Sequence, residues 1–257
     1  MTIPAANPVA VEVTRGQSLE TAFVESRHRA SCAVVAADGT IVHGWGDIEQ
    51  QVFPRSAIKP IQALPLIETG AADAFGYSAA EISLACASHH AEDRHINTVT
   101  DILGRIGLTP DALECGPKIS IDEAVKIERL KKGVEARRLG SDCSGKHTGF
   151  LATAVHMGED PAGYIGRSHP VQQRIFQTIS EMCDVDVSTL PEGIDGCSIP
   201  ALAIPLSALA LGMAKLANPT GLGAVREAAA DRVVQSIAAE PFMIAGTGSF
   251  CTDINAV

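Results

Sequence analysis

The stretch Phe53-Pro54-Arg55-Ser56-Ala57-Ile58-Lys59-Pro60 sets a serine and a lysine three residues apart, behind one proline and at the head of a helical pattern. A helix that begins near Ser56 brings Lys59 over the same face. Its N-terminus adds a fixed positive partial charge beside the serine. A serine hydroxyl is a weak nucleophile until a base takes its proton. A lysine can be that base only when burial or nearby positive charge depresses its pKa. Both residue types are common, so Ser-x-x-Lys needs support from the rest of the chain.

The helix is expected to run from Ser56 to Thr69 and to stop at Gly70. Pro60 falls in its first turn, where a missing N–H costs little. Pro65 lies deeper and predicts a kink, since an interior proline costs about 3 kcal/mol. Before this helix, Val9 to Thr14 reads as a strand. Ala30 to Ala36, the Asp38-Gly39 turn signal and Ile41 to Trp45 read as a hairpin. After it, Ser78-Ala79-Ala80-Glu81 is a capping box that opens a short helix to about Cys86. Ala87-Ser88-His89-His90 leaves that helix, and Glu92 to Ile106 forms the next. Further helices are expected at Asp122–Arg138, Pro170–Cys183, Pro200–Ala217 and Leu222–Ala239; the one at Pro200–Ala217 is almost wholly apolar and therefore buried. Asp142 to His147 reads as a polar loop before the apolar run Thr148–Met157, and Pro191 to Pro200 as a second loop. Phe242–Ala245 and Ser249–Val257 read as strands around a Gly246-Thr247-Gly248 turn.

The chain has 257 residues, a length that suits one large domain or two small ones, and no linker or repeat divides it. Only 4% of the residues are aromatic, so the core must be aliphatic. The formal net charge of −10 and the lack of a basic stripe argue against nucleic-acid binding. Met1 to Pro8 has neither the positive region nor the apolar core of a targeting segment. The uncharged run Gly196–Met213 is interrupted by two prolines and two serines and reads as a buried helix, not a membrane span. Seven scattered cysteines fit reduced thiols in a cytoplasmic protein.

Three clusters stand out as chemistry. Arg55-Ser56-x-x-Lys59 is the first. Ser88-His89-His90 is the second, with a hydroxyl able to relay a proton. The third pairs Cys143-x-x-Lys146-His147 with Asp195-x-Cys197. Two such distant cysteines are commonly just small buried apolar residues. The alternative is a metal site: thiolates suit zinc, residues 143 and 146 lie one turn apart, and a lysine ligand would have to be deprotonated. His89, His90 and His95 invite a zinc reading too, but His90 and His95 are five apart, which suits no helical face. A solvated loop or a helix N-terminus accounts for them better. Gly246-Thr247-Gly248 lacks the lysine and following helix of a phosphate loop, so it reads as a turn or as backbone donors near a site.

With these residues collected, the sequence resembles the serine-type bacterial L-asparaginases of the Rhizobium type (the asparaginase II family), which are distinct from the threonine-type enzymes. The resemblance spans nearly the whole chain. It rests on Phe53-Pro54-Arg55-Ser56-x-x-Lys59-Pro60, Cys86-Ala87-Ser88-His89, Asp142-Cys143-Ser144-Gly145-Lys146-His147, Asp195-Gly196-Cys197-x-x-Pro200 and Gly246-Thr247-Gly248, in that order. It implies a single asparaginase domain over residues 1–257. The implied fold is α/β (α+β) and like that of serine β-lactamases and penicillin-binding proteins, an antiparallel sheet packed with helices, in a homodimer. It also implies hydrolysis of L-asparagine through a serine acyl-enzyme. In that scheme Ser56 is the nucleophile, Lys59 its base and Ser88 the relay. Cys143, Lys146 and Cys197 hold a zinc ion near the substrate. Asp195 belongs to the substrate pocket, with Arg55 and His147 beside it. The family places a second lysine in a Lys-x-Gly-type segment after the Gly246 turn. The sequence reaches Val257 without one, so the domain is expected to be incomplete at its C-terminus, with a strand edge unpaired.

Two rivals remain at this stage. A β-lactamase or peptidase of the same fold would turn over a β-lactam or acyl-peptide. Against it, Ser88 is followed by His-His, not Asp-Asn, and no Lys-Thr-Gly is present. A catalytically impaired remnant would fold without chemistry. Ammonia release from asparagine separates all three readings.

Overall fold

The computed structural model describes residues 7–18 and 20–257. Prolines bound several of its shortest strands. The strands are β1 (Val9–Arg15), β2 (Phe23–Arg29), β3 (Cys32–Val35), β4 (Ile41–Trp45), β5 (Gln51–Val52), β6 (Glu192–Ile194), β7 (Pro200–Leu202) and β8 (Ile204–Pro205). They pair antiparallel as β1–β2, β3–β4, β5–β8 and β6–β7. The described residues therefore give four two-stranded units where one continuous antiparallel sheet was expected. The pair β5–β8 matches only Gln51 with Pro205 and Val52 with Ile204. Pro54 follows β5 and Pro205 sits within β8, and neither has the N–H that a longer ladder needs. The hairpin β3–β4 forms as read, with Gly39 at φ 88° supplying the left-handed turn position. The strand β2 was missed: Phe23-Val24-Glu25-Ser26-Arg27-His28-Arg29 is too charged to look like one. It is held by its ladder to β1 and by the ion pairs Arg15–Glu25 and Arg27–Glu12 at 2.8 and 2.6 Å.

Helices make the core. They are α1 (Lys59–Gln62), α2 (Leu64–Glu68), α3 (Ala71–Ala74), α4 (Ala79–Ala85), α5 (Asp93–Arg105), α6 (Glu123–Lys131), α7 (Ser144–His156), α8 (Pro170–Cys183), α9 (Leu206–Ala217), α10 (Ala224–Ala239) and α11 (Phe250–Ile254). The centre is α7, buried from Ser144 to Ala154 and packed against α4, α5, α3, α2 and α8. Its apolar surroundings are aliphatic, as the composition requires: Ile61, Leu64, Leu84, Ile102, Leu103 and Leu151 are fully covered. Gly145 lets α7 touch α4, because a Cβ there would run into the Leu84 carbonyl and side chain. None of the helices among the described residues is long and apolar enough to cross a membrane.

Several expected elements change. The helix over 56–69 is a 3-10 turn, Arg55–Ile58, followed by α1 and α2, with Pro60 and Pro65 each in the first turn of its own segment. Pro65 ends one helix and starts another, which costs less than a kink. The helix at Asp122–Arg138 closes early at Gly133, φ 72°. The run Pro200–Ala217 splits at Pro205 into β7, β8 and α9, and α9 is only half-buried, with Gly212 and Leu216 fully covered. Phe242–Ala245 is a 3-10 turn begun by Pro241, and Ser249–Val257 contains α11, so neither is a strand. The capping box at Ser78 and the helices α4, α5, α8 and α10 stand close to where the sequence put them.

Candidate active site

The 3-10 turn is what aligns the first cluster. With three residues per turn, positions i and i+3 eclipse, so Ser56 and Lys59 stack more directly than in an α-helix. Arg55, at φ 52°, sits in the left-handed region and turns the chain into that element. Such a conformation costs of order 1–3 kcal/mol in a non-glycine residue and persists where the surroundings impose it. Here Arg55 Nη2 is held by Asp195 Oδ1 at 2.8 Å. Ser56 lies at the surface, and Lys59 is 1% exposed.

Ser88 joins the two. It follows α4, and its segment is pinned from both sides by main-chain bonds. Ser88 N donates to Ile244 O at 3.0 Å, His90 N to Ala245 O at 2.6 Å, and His89 N to Asp142 O at 3.1 Å. Lys59 Nζ donates to Ala87 O at 2.5 Å and to Ser88 Oγ at 2.7 Å, and Ser88 Oγ donates to Ser56 Oγ at 2.6 Å. The result is one hydrogen-bonded chain, Lys59–Ser88–Ser56. Burial pushes the Lys59 ammonium below its usual value. The neighbouring Cys143 sulfur and the Asp142 carboxylate partly offset this, and the positive Lys146 adds to it.

The second layer is built of sulfur. Cys143 stands at the N-cap of α7, Lys146 one turn further along it, and Cys197 in the tight turn Asp195–Ser198, where Ser198 N donates to Asp195 O at 2.9 Å. Lys146 Nζ lies 3.3 Å from Cys197 Sγ. The two thiols meet. The neighbouring Cys143 thiol holds the Cys197 thiol far below its usual pKa against burial, helped by His147 and Lys146. The same pairing, with burial, pushes Cys143 up. Each sulfur also has a carboxylate beside it. Cys197 Sγ is 3.8 Å from Asp195 Oδ2, and Cys143 Sγ is 3.6 Å from Asp142 Oδ2.

His147 is fully buried beside Cys197. Its Nδ1 meets Tyr164 Oη at 2.5 Å, and Tyr164 Oη accepts Glu114 N–H at 2.9 Å. The tyrosine proton is thus free to point at Nδ1, which puts the ring proton on Nε2. Among the described residues that atom has no partner at good hydrogen-bond geometry, and the Cys197 sulfur lies beside it. The other buried histidines are closed to a metal. His89 uses Nδ1 for Ala91 N–H and Nε2 for Ser144 Oγ. His95 uses Nδ1 for Glu92 N–H and Nε2 for Phe242 O. The rings stack as His89–His95–Phe242, with centroids 5.0 and 4.8 Å apart.

Among the described residues no three His, Cys, Asp or Glu side chains converge to hold a cation. A zinc ion here would rely on the Lys146 amine as third donor beside the two sulfurs. Two adjoining buried thiols, one readily ionised, fit such an ion. Arg55 and Asp195, with Ile58, Ile175, Phe176 and Ile199, line a cavity of about 20 Å³, room for one water and not for an amino acid.

Hydrogen bonds and the Arg55–Asp195 ion pair tie Arg55, Ser56, Lys59, Ser88, Lys146, Asp195 and Cys197 into this region, while His147 is bonded to Tyr164. Asp142, Lys118 and Tyr164 were missed as participants. Asp142 lay inside a quoted motif without a role, whereas Lys118 and Tyr164 stand alone in the sequence with no local pattern. No curated protein matches the chain significantly. A family model described as L-asparaginase II matches residues 11–257, a span that holds the serines, the lysines and both thiols. The chain belongs to the L-asparaginase II family.

Proposed function

We propose that this protein hydrolyses L-asparagine to L-aspartate and ammonia, with Ser56 as the nucleophile that carries the aspartyl group. The observation behind this is the unbroken chain from buried Lys59 through Ser88 to exposed Ser56. With Lys59 neutral, both hydroxyls rotate, so that Ser56 donates to Ser88 and Ser88 donates to Lys59 Nζ. Attack of Ser56 Oγ on the side-chain carboxamide carbon then passes one proton to Ser88 as Ser88 passes its own to Lys59. The new ammonium keeps its bond to Ala87 O and the nearby charge of Asp142. In this scheme backbone N–H groups near the helix start stabilise the developing oxyanion. The proton returns along the same chain to the leaving nitrogen. Ammonia departs, and water cleaves the ester. Asp195, held in place by Arg55, offers its carboxylate to the α-ammonium end of an amino acid. When bound, zinc would be held by Cys143, Lys146 and Cys197 and would orient a polar group of the substrate by its charge.

The test is an ammonia assay on L-asparagine, followed by rapid acid quench and peptide mass analysis. Ammonia release with an aspartyl adduct on the Ser56 peptide is the expected result. Hydrolysis of a β-lactam without ammonia from asparagine would refute the reading.

A further inference from the structure

The two carboxylates that flank the thiol pair each hold a cation. Asp195 holds Arg55, and Asp142 holds Lys118 through Oδ1. The arrangement is nearly symmetric about the sulfurs: Arg55–Asp195–Cys197 on one side, Cys143–Asp142–Lys118 on the other. Lys59 and Lys146 are 1% and 2% exposed and already engaged. Arg55 and Lys118 are the two of these four bases that reach solvent, with side chains 64% and 38% exposed. A lysine ammonium has three N–H donors, and Asp142 takes one.

Lys118 is not free to drift away. Its main chain exchanges two bonds with Arg137, N to O at 3.1 Å in both directions. Its carbonyl rests on Gly140, where no Cβ would fit. Asp142 in turn accepts His89 N–H on its carbonyl, so the Lys118–Asp142 pair is tied to the residue next to Ser88. Four bases and two carboxylates thus gather on a protein whose formal net charge is −10. With Lys59 neutral and Cys197 ionised these charges come close to balance, so what offers a place to an anionic group is the set of solvent-facing N–H donors on Lys118.

Resting on the asparaginase reading, we infer that Lys118 is a substrate-binding residue that takes the α-carboxylate of the amino acid with its free N–H donors, while Asp142 fixes its direction. The ligand class is an L-amino acid with a free α-carboxylate. A neutral α-amide would lack the partner.

Isothermal titration calorimetry with L-aspartate and with its α-amide, isoasparagine, tests this without turnover, because neither has a side-chain amide to cleave. The parent should bind aspartate at least about tenfold tighter than isoasparagine, the worth of one charge-assisted bond. Lys118→Met should remove that preference by weakening aspartate alone, and Lys118→Arg should retain it. Equal weakening of both ligands by Lys118→Met would show a role confined to holding Asp142, and no weakening would show no role; either overturns the inference, as would a parent that binds neither ligand. A Lys118-dependent preference in a protein that releases no ammonia would leave the inference standing and remove the asparaginase reading. Ammonia release with no Lys118 dependence would do the reverse.

Discussion

Ser56→Ala is expected to abolish ammonia release from asparagine, a loss of about a thousandfold or more, while the protein stays folded. The hydroxyl is at the surface and, among the described residues, its one side-chain bond is from Ser88 Oγ, so removing it leaves no buried group unsatisfied. Covalent nucleophiles act as a unit with their base, and deleting either typically costs several orders of magnitude. The measurement is kcat for ammonia release alongside a urea unfolding curve. Activity within about tenfold of the parent would exclude covalent catalysis at this serine. Loss of activity together with loss of the unfolding transition would be uninformative for most buried residues, but the exposure of Ser56 makes that outcome itself contrary to the structure.

Lys59→Met is expected to cost about a thousandfold in kcat/KM, the scale of a general base. It should also raise stability at neutral pH. The sign follows from burial. Burial is the leading cause of the depressed Lys59 pKa, so the folded state binds the proton less readily than the unfolded chain. Between the folded pKa and the ordinary 10.5, the unfolded state holds more protons, and stability rises with pH. Toward lower pH the ammonium is buried at a cost that methionine, of similar length and no charge, does not bear. The pH profile separates the roles. In the parent, kcat/KM should climb as Lys59 loses its proton, at a pH below 10.5. In Lys59→Met that limb should vanish from whatever activity is left. A surviving limb at the same pH would assign the base to another group.

The sequence made the site more legible than the fold. Ser-x-x-Lys, Ser88 and the two Cys segments each carried local spacing or a recognisable motif, and the structure brings them together. Spacing alone predicted that Ser56 and Lys59 share a face; it did not predict the 3-10 turn that brings them into line, because 3-10 and α periods cannot be told apart over four residues. Lys118 and Tyr164 were invisible for a different reason. Each acts through a partner at least 17 residues away, Asp142 and His147. The errors in the fold cluster where proline interrupts an apolar run. Pro200 to Ala217 looked like one helix because apolar content is the same in a short buried strand and in a helix. Phe242 to Ala245 looked extended because β-favouring side chains outweighed the φ that Pro241 imposes. His147 follows Lys146 directly, yet adjacent residues on a helix point about 100° apart, and α7 buries its ring.

The pinning of Ser88 has a consequence for how the molecule assembles. Its hydroxyl is set by a lysine 29 residues back, and its main chain is clamped between Ile244 and, one residue on, Asp142. These are contacts of long sequence separation, and closing such loops is entropically expensive until other contacts have formed. The helices α5, α7 and α8 need only local bonds and can form on a faster timescale. Helical signal and hydrolytic competence are therefore separate milestones of refolding, and regained ammonia release should lag regained far-ultraviolet ellipticity; simultaneous recovery would mean that the helices themselves wait for the long-range clamp.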